Sequence, residues 1–290
     1  MSDDGQFGFS IIALIGSVFS PYYAWAGRKN PTEHIALNVG IYGKGVKRWT
    51  MTERGSSALQ QSKAHLAIGP SDLEWDGTSL TININERAAP LPFKVRGQLK
   101  LTPHGITKET YQLDENGRHF WRPIAPSCEV ECNMASPDVS WRGHGYIDSN
   151  WGSEPLEDGF THWDWSRAQL KDGAGLLYDA FTKSGVNRQF ALKFARDGSV
   201  QNVAIPPRQH MPKCPIWRMP RTTLSQHPTP KITSTLEDTP FYSRSQIQSV
   251  FDGENCRAVH ESLDLKAFSN PLVRCLLPFR MPRRSRYKKA

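Results

Sequence analysis

Glycine and proline punctuate this chain from end to end, and that punctuation decides what it can fold into. The 22 glycines and 21 prolines are spread over 290 residues, so few segments sustain the i, i+3, i+4 apolar spacing of an amphipathic helix. Between them lie short runs in which apolar and polar residues alternate: HIALNVGIYG (34–43), RWTMTER (48–54), SLTININE (79–86) and KVRGQLKLTP (94–103). Alternation with period two, bounded by turn residues, predicts strands. Asp76-Gly77 predicts a hairpin turn. Asp172-Gly173 and Asp197-Gly198 predict turns in a meander through WDWSRAQL, GAGLLYDAF, QFALKFA and SVQNVAI. The expected class is all-β.

No charged residue occurs from Phe7 to Gly27, which raises a membrane span or a signal peptide. Asp3 and Asp4 precede the run instead of lysine or arginine, and Ser10, Ser17, Ser20, Pro21 and two tyrosines interrupt it. FSIIALIGSVF is therefore expected to be a buried strand, followed by a loop at SPYYAW. The prolines from Pro206 to Pro230 predict a long loop or an interrupted edge strand around Ile216-Trp217-Arg218. Cys128, Cys132, Cys214, Cys256 and Cys275 form no CxxC pair, and reduced thiols are expected.

The formal charge of +8 suggests nucleic acid until it is located. Six of the basic residues (Arg280, Arg283, Arg284, Arg286, Lys288 and Lys289) lie in the last eleven positions, which leaves +2 for the rest. No nucleic-acid motif accompanies this basic tail. The functional alternative to a solvated end is attraction to anionic lipid headgroups, at about 1 kcal/mol per basic residue near the surface.

Chemistry concentrates between Trp141 and Arg167, where four of the nine tryptophans stand with His144, Tyr146, Asp148, Asn150 and His162. Gly143 and Gly145 disfavour a helix. In an extended chain His144, Tyr146, Asp148 and Asn150 share one face. Tyr146 and Trp151 beside Asp148 suggest a carboxyl raised by burial and able to deliver a proton; an ionised turn carboxylate is the plain alternative. His119 and Trp121 form a second pair at two-residue spacing. Trp163 and Trp165 form a third, which ordinary core packing explains. His119, His144, His162 and Asp148 lack metal-site spacing, so no metal is expected, and Glu154 and Glu157 read as surface charges or caps. No GxSxG, P-loop or dinucleotide fingerprint is present.

At these residues the sequence resembles the bacterial carotenoid 1,2-hydratases, also called hydroxyneurosporene synthases. GHGYIDSNWGSEPLEDGFTHWDWSRA carries the resemblance, together with GSVFSPYYAWA, MTERG, RHFWRPIAP, ESLDL and LPFRMPR. The resemblance implies two lipocalin-like antiparallel β-barrel or sandwich domains, assigned to 1–157 and 158–278 with a basic tail at 279–290. It implies addition of water to the terminal C1=C2 bond of acyclic carotenoids without a cofactor. Catalytic roles carry over to Asp148, His119, Tyr146 and Trp121. The expected substrate contacts are Trp151, His144, Asn150 and Trp163. A cytoplasmic protein in peripheral contact with an anionic membrane through its tail follows from a membrane-resident substrate. Relatives carry an aromatic-rich segment before the SDDGQ-like stretch, so the first domain is expected to lack a strand. The alternatives are a lipocalin-like carrier of a hydrophobic ligand, and a cyclase or isomerase using the same acid on another polyene.

Overall fold

The computed structural model describes residues 1–284, and the chain separates into two compact units. Among the described residues, the first comprises 1–103, 129–145 and 274–284; the second comprises 104–128 and 146–273. This division runs differently along the sequence from the segments 1–157, 158–278 and 279–290. The physical reason is the length of two strands, each of which serves both units.

In the first unit, β1 (Phe7–Ile15) pairs with β2 (Ile35–Gly43), and β2 with β3 (Val46–Arg54), all antiparallel. The four runs predicted from alternation are all strands. β1 is mostly half-buried instead of fully buried, because it pairs only with β2 and stands at the edge of its sheet. SPYYAW is a one-turn helix, α1 (Pro21–Trp25), and not a loop: the Ser20 hydroxyl accepts from Tyr23 N, and proline occupies the first turn, where its missing N–H costs nothing. A meander follows through β4 (Leu59–Gln61), β5 (His65–Ile68), β6 (Ser71–Trp75), β7 (Leu80–Arg87) and β8 (Lys94–Pro103). The Asp76 carboxylate closes its β6–β7 turn by accepting from Thr78 N and Ser79 N.

Next come β9 (Tyr111–Gln112) and the long strands β10 (His119–Ser136) and β11 (Asp138–Gly152). After the short helix α2 (Leu156–Gly159), the second unit is a seven-stranded antiparallel sheet. The predicted meander supplies four neighbours in order: β12 (Phe160–Leu170), β13 (Gly173–Thr182), β14 (Arg188–Phe194) and β15 (Val200–Asn202). The proline-rich stretch is a paired ribbon, β16 (Arg208–Met211) with β17 (Arg221–Leu224). Pro207, Pro212 and Pro220 bracket these two strands, so no proline removes a ladder donor. Ile216-Trp217-Arg218 is the turn region of the ribbon, with the Asp238 carboxylate accepting from Ile216 N and Trp217 N. Three strands, β18 (Lys231–Asp238), β19 (Tyr242–Phe251) and β20 (Glu254–Asp264), complete the sheet, β20 lying beside β12.

One face of this sheet packs an apolar core of Ala168, Leu170, Leu177, Ala191, Met211, Leu224, Ile247 and Phe251. The buried Asp164 lies on that face too; it accepts from Ser262 and Thr222 and faces His162 Nε2 at 3.2 Å. Its bond to Thr222 fastens the β17 ribbon to β12.

After α3 (Leu265–Phe268) and α4 (Pro271–Leu276) the chain rejoins the first unit as β21 (Arg283–Arg284), parallel to β3. The described part of the basic tail is therefore docked. Arg280 lies over the Trp49 ring at 4.3 Å, Met281 is buried, and Arg283 pairs with Glu53 and reaches His34 Nδ1 at 2.9 Å. Two of the motifs that carry the resemblance thus meet, LPFRMPR against MTERG, and this part of the tail is not a solvated end. Arg286, Lys288 and Lys289 lie outside the described residues. All five cysteines are unpaired, four of them buried. No helix among the described residues is long and apolar enough to cross a membrane.

Candidate active site

The floor of the site follows from alternation and register in the second unit. Along β12, Trp163, Trp165 and Arg167 share the face opposite Asp164. Trp165 stands across from Tyr178 of β13 and Glu261 of β20; Tyr178 stands across from Phe190 of β14, and Glu261 from Arg244 of β19. Residues directly opposite point the same way. One row, Arg244, Glu261, Trp165, Tyr178 and Phe190, thus crosses five strands on one face. Arg244 Nε and Nη2 hold the Glu261 carboxylate at 2.8 and 2.7 Å.

Trp121 of β10, fully buried, lies against this row, with ring centroids 5.2 Å from Tyr178 and 6.3 Å from Phe190, and 5.3 Å from Tyr111 of β9. The Tyr146 ring of β11 lies 5.2 Å from Trp165. The indole N–H of Trp121 is shared between two acceptors, Tyr146 Oη at 3.0 Å and Asp148 Oδ2 at 3.1 Å. Asn150 Nδ2 donates to the same Oδ2 at 3.2 Å. Tyr146, Asp148 and Asn150 are together because strand alternation puts them on one side of β11.

The Asp148 carboxyl is pushed up to about 6, chiefly by burial and further by the negative charge of Glu261. Hydrogen bonds from Tyr146, Trp121 and Asn150 favour the carboxylate and pull the other way. Asp148 is nevertheless an exposed residue, so its carboxyl packs against Trp121 Nε1 and Asn150 Nδ2 on one side and is open to solvent on the other. Burial also raises the Tyr146 and Tyr178 hydroxyls, so both are neutral donors at physiological pH. Because Glu261 raises the Asp148 pKa, Glu261→Gln is expected to move any activity limb governed by Asp148 toward lower pH. A pH profile of kcat/KM reads this directly, and an unmoved limb would refute the coupling.

Of the other expected site residues, Trp163 shares this face, His119 stands two residues before Trp121 on β10, and Trp151 and His144 lie elsewhere. Trp151, expected beside Asp148, occupies an odd position in the strand that turns it to the opposite face, where it stacks on Phe120 at 5.6 Å and stays half-exposed. His144 belongs to the first unit, and its backbone exchanges hydrogen bonds with Met1. Trp163 shares the site face and approaches Tyr178 at 6.2 Å. His119 is buried, with Nε2 3.3 Å from Glu154 and its ring 4.8 Å from Phe160. A Cβ at Gly152 or Gly159 would strike its imidazole, which is why the β11–β12 connection carries glycine at both positions. Burial is the largest influence on His119 and lowers its pKa. Glu154 and Glu157 are not simply surface charges: Glu154 bonds Arg118 at 2.6 Å as well as facing His119, and Glu157 is buried. Among the described residues no three His, Cys, Asp or Glu side chains converge as metal ligands.

Tyr111, Tyr178, Phe190, Arg244 and Glu261 do not stand out in the sequence. Two faint signals exist. Tyr178 and Glu261 fall in runs read as a strand or as a motif, GAGLLYDAF and ESLDL, but only register reveals that they neighbour Trp165.

A family model described as the carotenoid hydratase CrtC matches residues 11–290 of the chain. The chain belongs to the carotenoid hydratase family. It is thereby an enzyme of the hydro-lyase class. Curated relatives named acyclic carotenoid 1,2-hydratase include one from Thiocapsa roseopersicina, 50% identical over 288 residues, covering 98% of this chain and 71% of the relative. Another, from Rubrivivax gelatinosus, is 44% identical and covers 98% and 72%. The relative from Cereibacter sphaeroides is 41% identical over 94% of this chain and 98% of its own. Among solved structures, a protein described as AttH from Nitrosomonas europaea matches with a TM-score of 0.58 at 16% identity, over 90% of this chain and 88% of that one. CghA with Sch210972 gives a TM-score of 0.54 at 11% identity, over 91% and 86%. These two likenesses place this family member among lipocalin-like antiparallel β folds.

Proposed function

We propose that this chain adds water across the terminal C1=C2 double bond of acyclic carotenoids such as neurosporene and lycopene, with Asp148 as the acid and no cofactor. The observation that supports this reading is the single Trp121 N–H that holds Tyr146 and the raised Asp148 carboxyl together among aromatic rings. Protonated Asp148 delivers its proton to C2, and the alkene π pair forms the C–H bond. The tertiary cation left at C1 faces aromatic rings, each worth up to about 2 kcal/mol to a desolvated cation. Water then attacks C1 and releases a proton. Asp148, now a carboxylate, is the acceptor that restores the acid. His119, kept neutral by burial, is the alternative acceptor.

The pH profile separates the two acceptors. If Asp148 alone cycles, kcat/KM falls only on the alkaline side, about tenfold per pH unit above about 6, where its proton is lost. If neutral His119 is required, a second fall appears on the acid side, below its lowered pKa. Turnover in D2O tests the protonation step itself, with one deuterium expected at C2 of the 1-hydroxy product. Carotenoid recovered unchanged would favour the carrier reading, and a cyclised or isomerised product would favour the other. The proposal extends to peripheral contact with an anionic membrane through Arg286, Lys288 and Lys289. Replacing these three by glutamine is expected to weaken sedimentation with phosphatidylglycerol vesicles.

A further inference from the structure

The first unit holds a cleft of about 120 Å³ whose wall carries Arg54, Arg87, Lys94, Arg96 and Arg284 against a single carboxylate, Glu86. That is a surplus of four positive charges around a space that admits a group larger than a water, since roughly 10–15 Å³ suffices for one. Backbone register sets two like-charged pairs among them, and the exposed Arg87, Lys94 and Arg96 share one face of the β7–β8 ladder while Arg54 and Glu86 are buried. Arg87 stands directly across from Lys94 in the β7–β8 ladder, and Arg284 directly across from Arg54 in the β3–β21 ladder. Like charges directly opposite are destabilising, and this cleft contains two such pairs.

The cleft is also preorganised. Arg54 is buried, donating to Thr52 O at 3.0 Å and to Glu86 Oε2 at 2.6 Å. Gly69, with φ +65°, makes room for it, because a Cβ there would lie 2.5 Å from Arg54 Nε. Arg96 Nε is oriented by Asn85 Oδ1 at 2.8 Å. The Arg284 backbone is held by the β3–β21 ladder, next to Arg283 on Glu53. Among the described residues neither Lys94 nor Arg284 has an ion-pair partner, and Glu86 is already engaged by Arg54 and Ser71.

We propose that this cleft binds one phosphate-class oxyanion. A tetrahedral oxyanion has acceptors on every side and answers converging guanidinium and ammonium donors with charge-assisted hydrogen bonds. The same chemistry has two sources, a soluble phosphate ester or the headgroup of an anionic phospholipid. The site is independent of the acid at Asp148, which lies in the second unit.

The test uses the full chain and calorimetric titration with inorganic phosphate and glycerol 3-phosphate at constant ionic strength. One saturable site is expected. Its Kd should rise at least about tenfold in the Lys94→Gln/Arg96→Gln double variant and in Arg284→Gln, the loss of a charge-assisted hydrogen bond. These positions are exposed, so the variants keep the Arg54–Glu86 pair and fold as the parent does, which matching melting temperatures in chloride verify. Phosphatidylglycerol vesicles identify the source: binding that falls in the same variants, over a phosphatidylcholine baseline, assigns the headgroup. Phosphate binding with no such vesicle effect assigns a soluble ligand. Absence of saturable binding to any of these probes, or equal binding by parent and variants, overturns the proposal.

Discussion

Replacing Asp148 by asparagine is expected to lower hydration of lycopene on the order of 10³-fold, the scale of a lost general acid, while leaving the fold intact. Asparagine keeps the volume and an oxygen able to accept from Trp121 Nε1, but holds no transferable proton. Folding raises this carboxyl from 3.8 to about 6. Its contribution to stability is therefore complete below the unfolded value near 4, and is lost as pH rises through about 6. The asparagine amide has no charge to bury, so Asp148→Asn is expected to melt at or above the parent temperature at pH 8. Thermal unfolding and product analysis on the same preparation check both halves. Turnover within tenfold of the parent would remove Asp148 as the acid.

Trp121→Ala is expected to be the most damaging substitution in the second unit. Trp121 is fully buried and contacts Tyr111, Tyr178 and Phe190, and large-to-small changes at such positions cost about 3–5 kcal/mol. Urea unfolding measures it, and a loss under about 1 kcal/mol would mean that the surrounding rings collapse into the space. Trp121→Phe separates packing from chemistry, since it retains an aromatic ring and removes the N–H shared by Tyr146 and Asp148. That donor stabilises the carboxylate. Its removal should move the Asp148 limb to higher pH, opposite in sign to Glu261→Gln. Two shifts in the same direction would contradict the electrostatic account.

Much of the fold is legible in the sequence because turn chemistry and alternation are local. Asp76-Gly77, Asp172-Gly173 and Asp197-Gly198 each close a hairpin, and the runs between them are strands. The departures are local too, but in the other direction. SPYYAW folds as a capped helical turn because Ser20 and Pro21 satisfy its first donors. The prolines from Pro206 onward bracket a ribbon instead of preventing one. Trp151 departs for a different reason: closeness in sequence puts it beside Asp148, whereas alternation assigns it to the other face.

The row from Arg244 to Phe190 marks the limit of local reading. Its members are far apart in sequence, and each looks like an ordinary strand residue. Likewise LPFRMPR and MTERG read as separate motifs, yet Arg283 and Glu53 form one ion pair and the described end of the tail is docked.

By itself, the sequence determined the antiparallel β class, the turns, and the shared face of Tyr146, Asp148 and Asn150, because period two is a property of the backbone. Tertiary structure alone decided which strands lie beside one another. That pairing put Trp165 beside Tyr146 and the charge of Glu261 within reach of the acid, brought Trp121 Nε1 between Tyr146 and Asp148, and gathered five cations around one cleft. Register sums contacts between residues distant in the chain, and no local pattern encodes that sum.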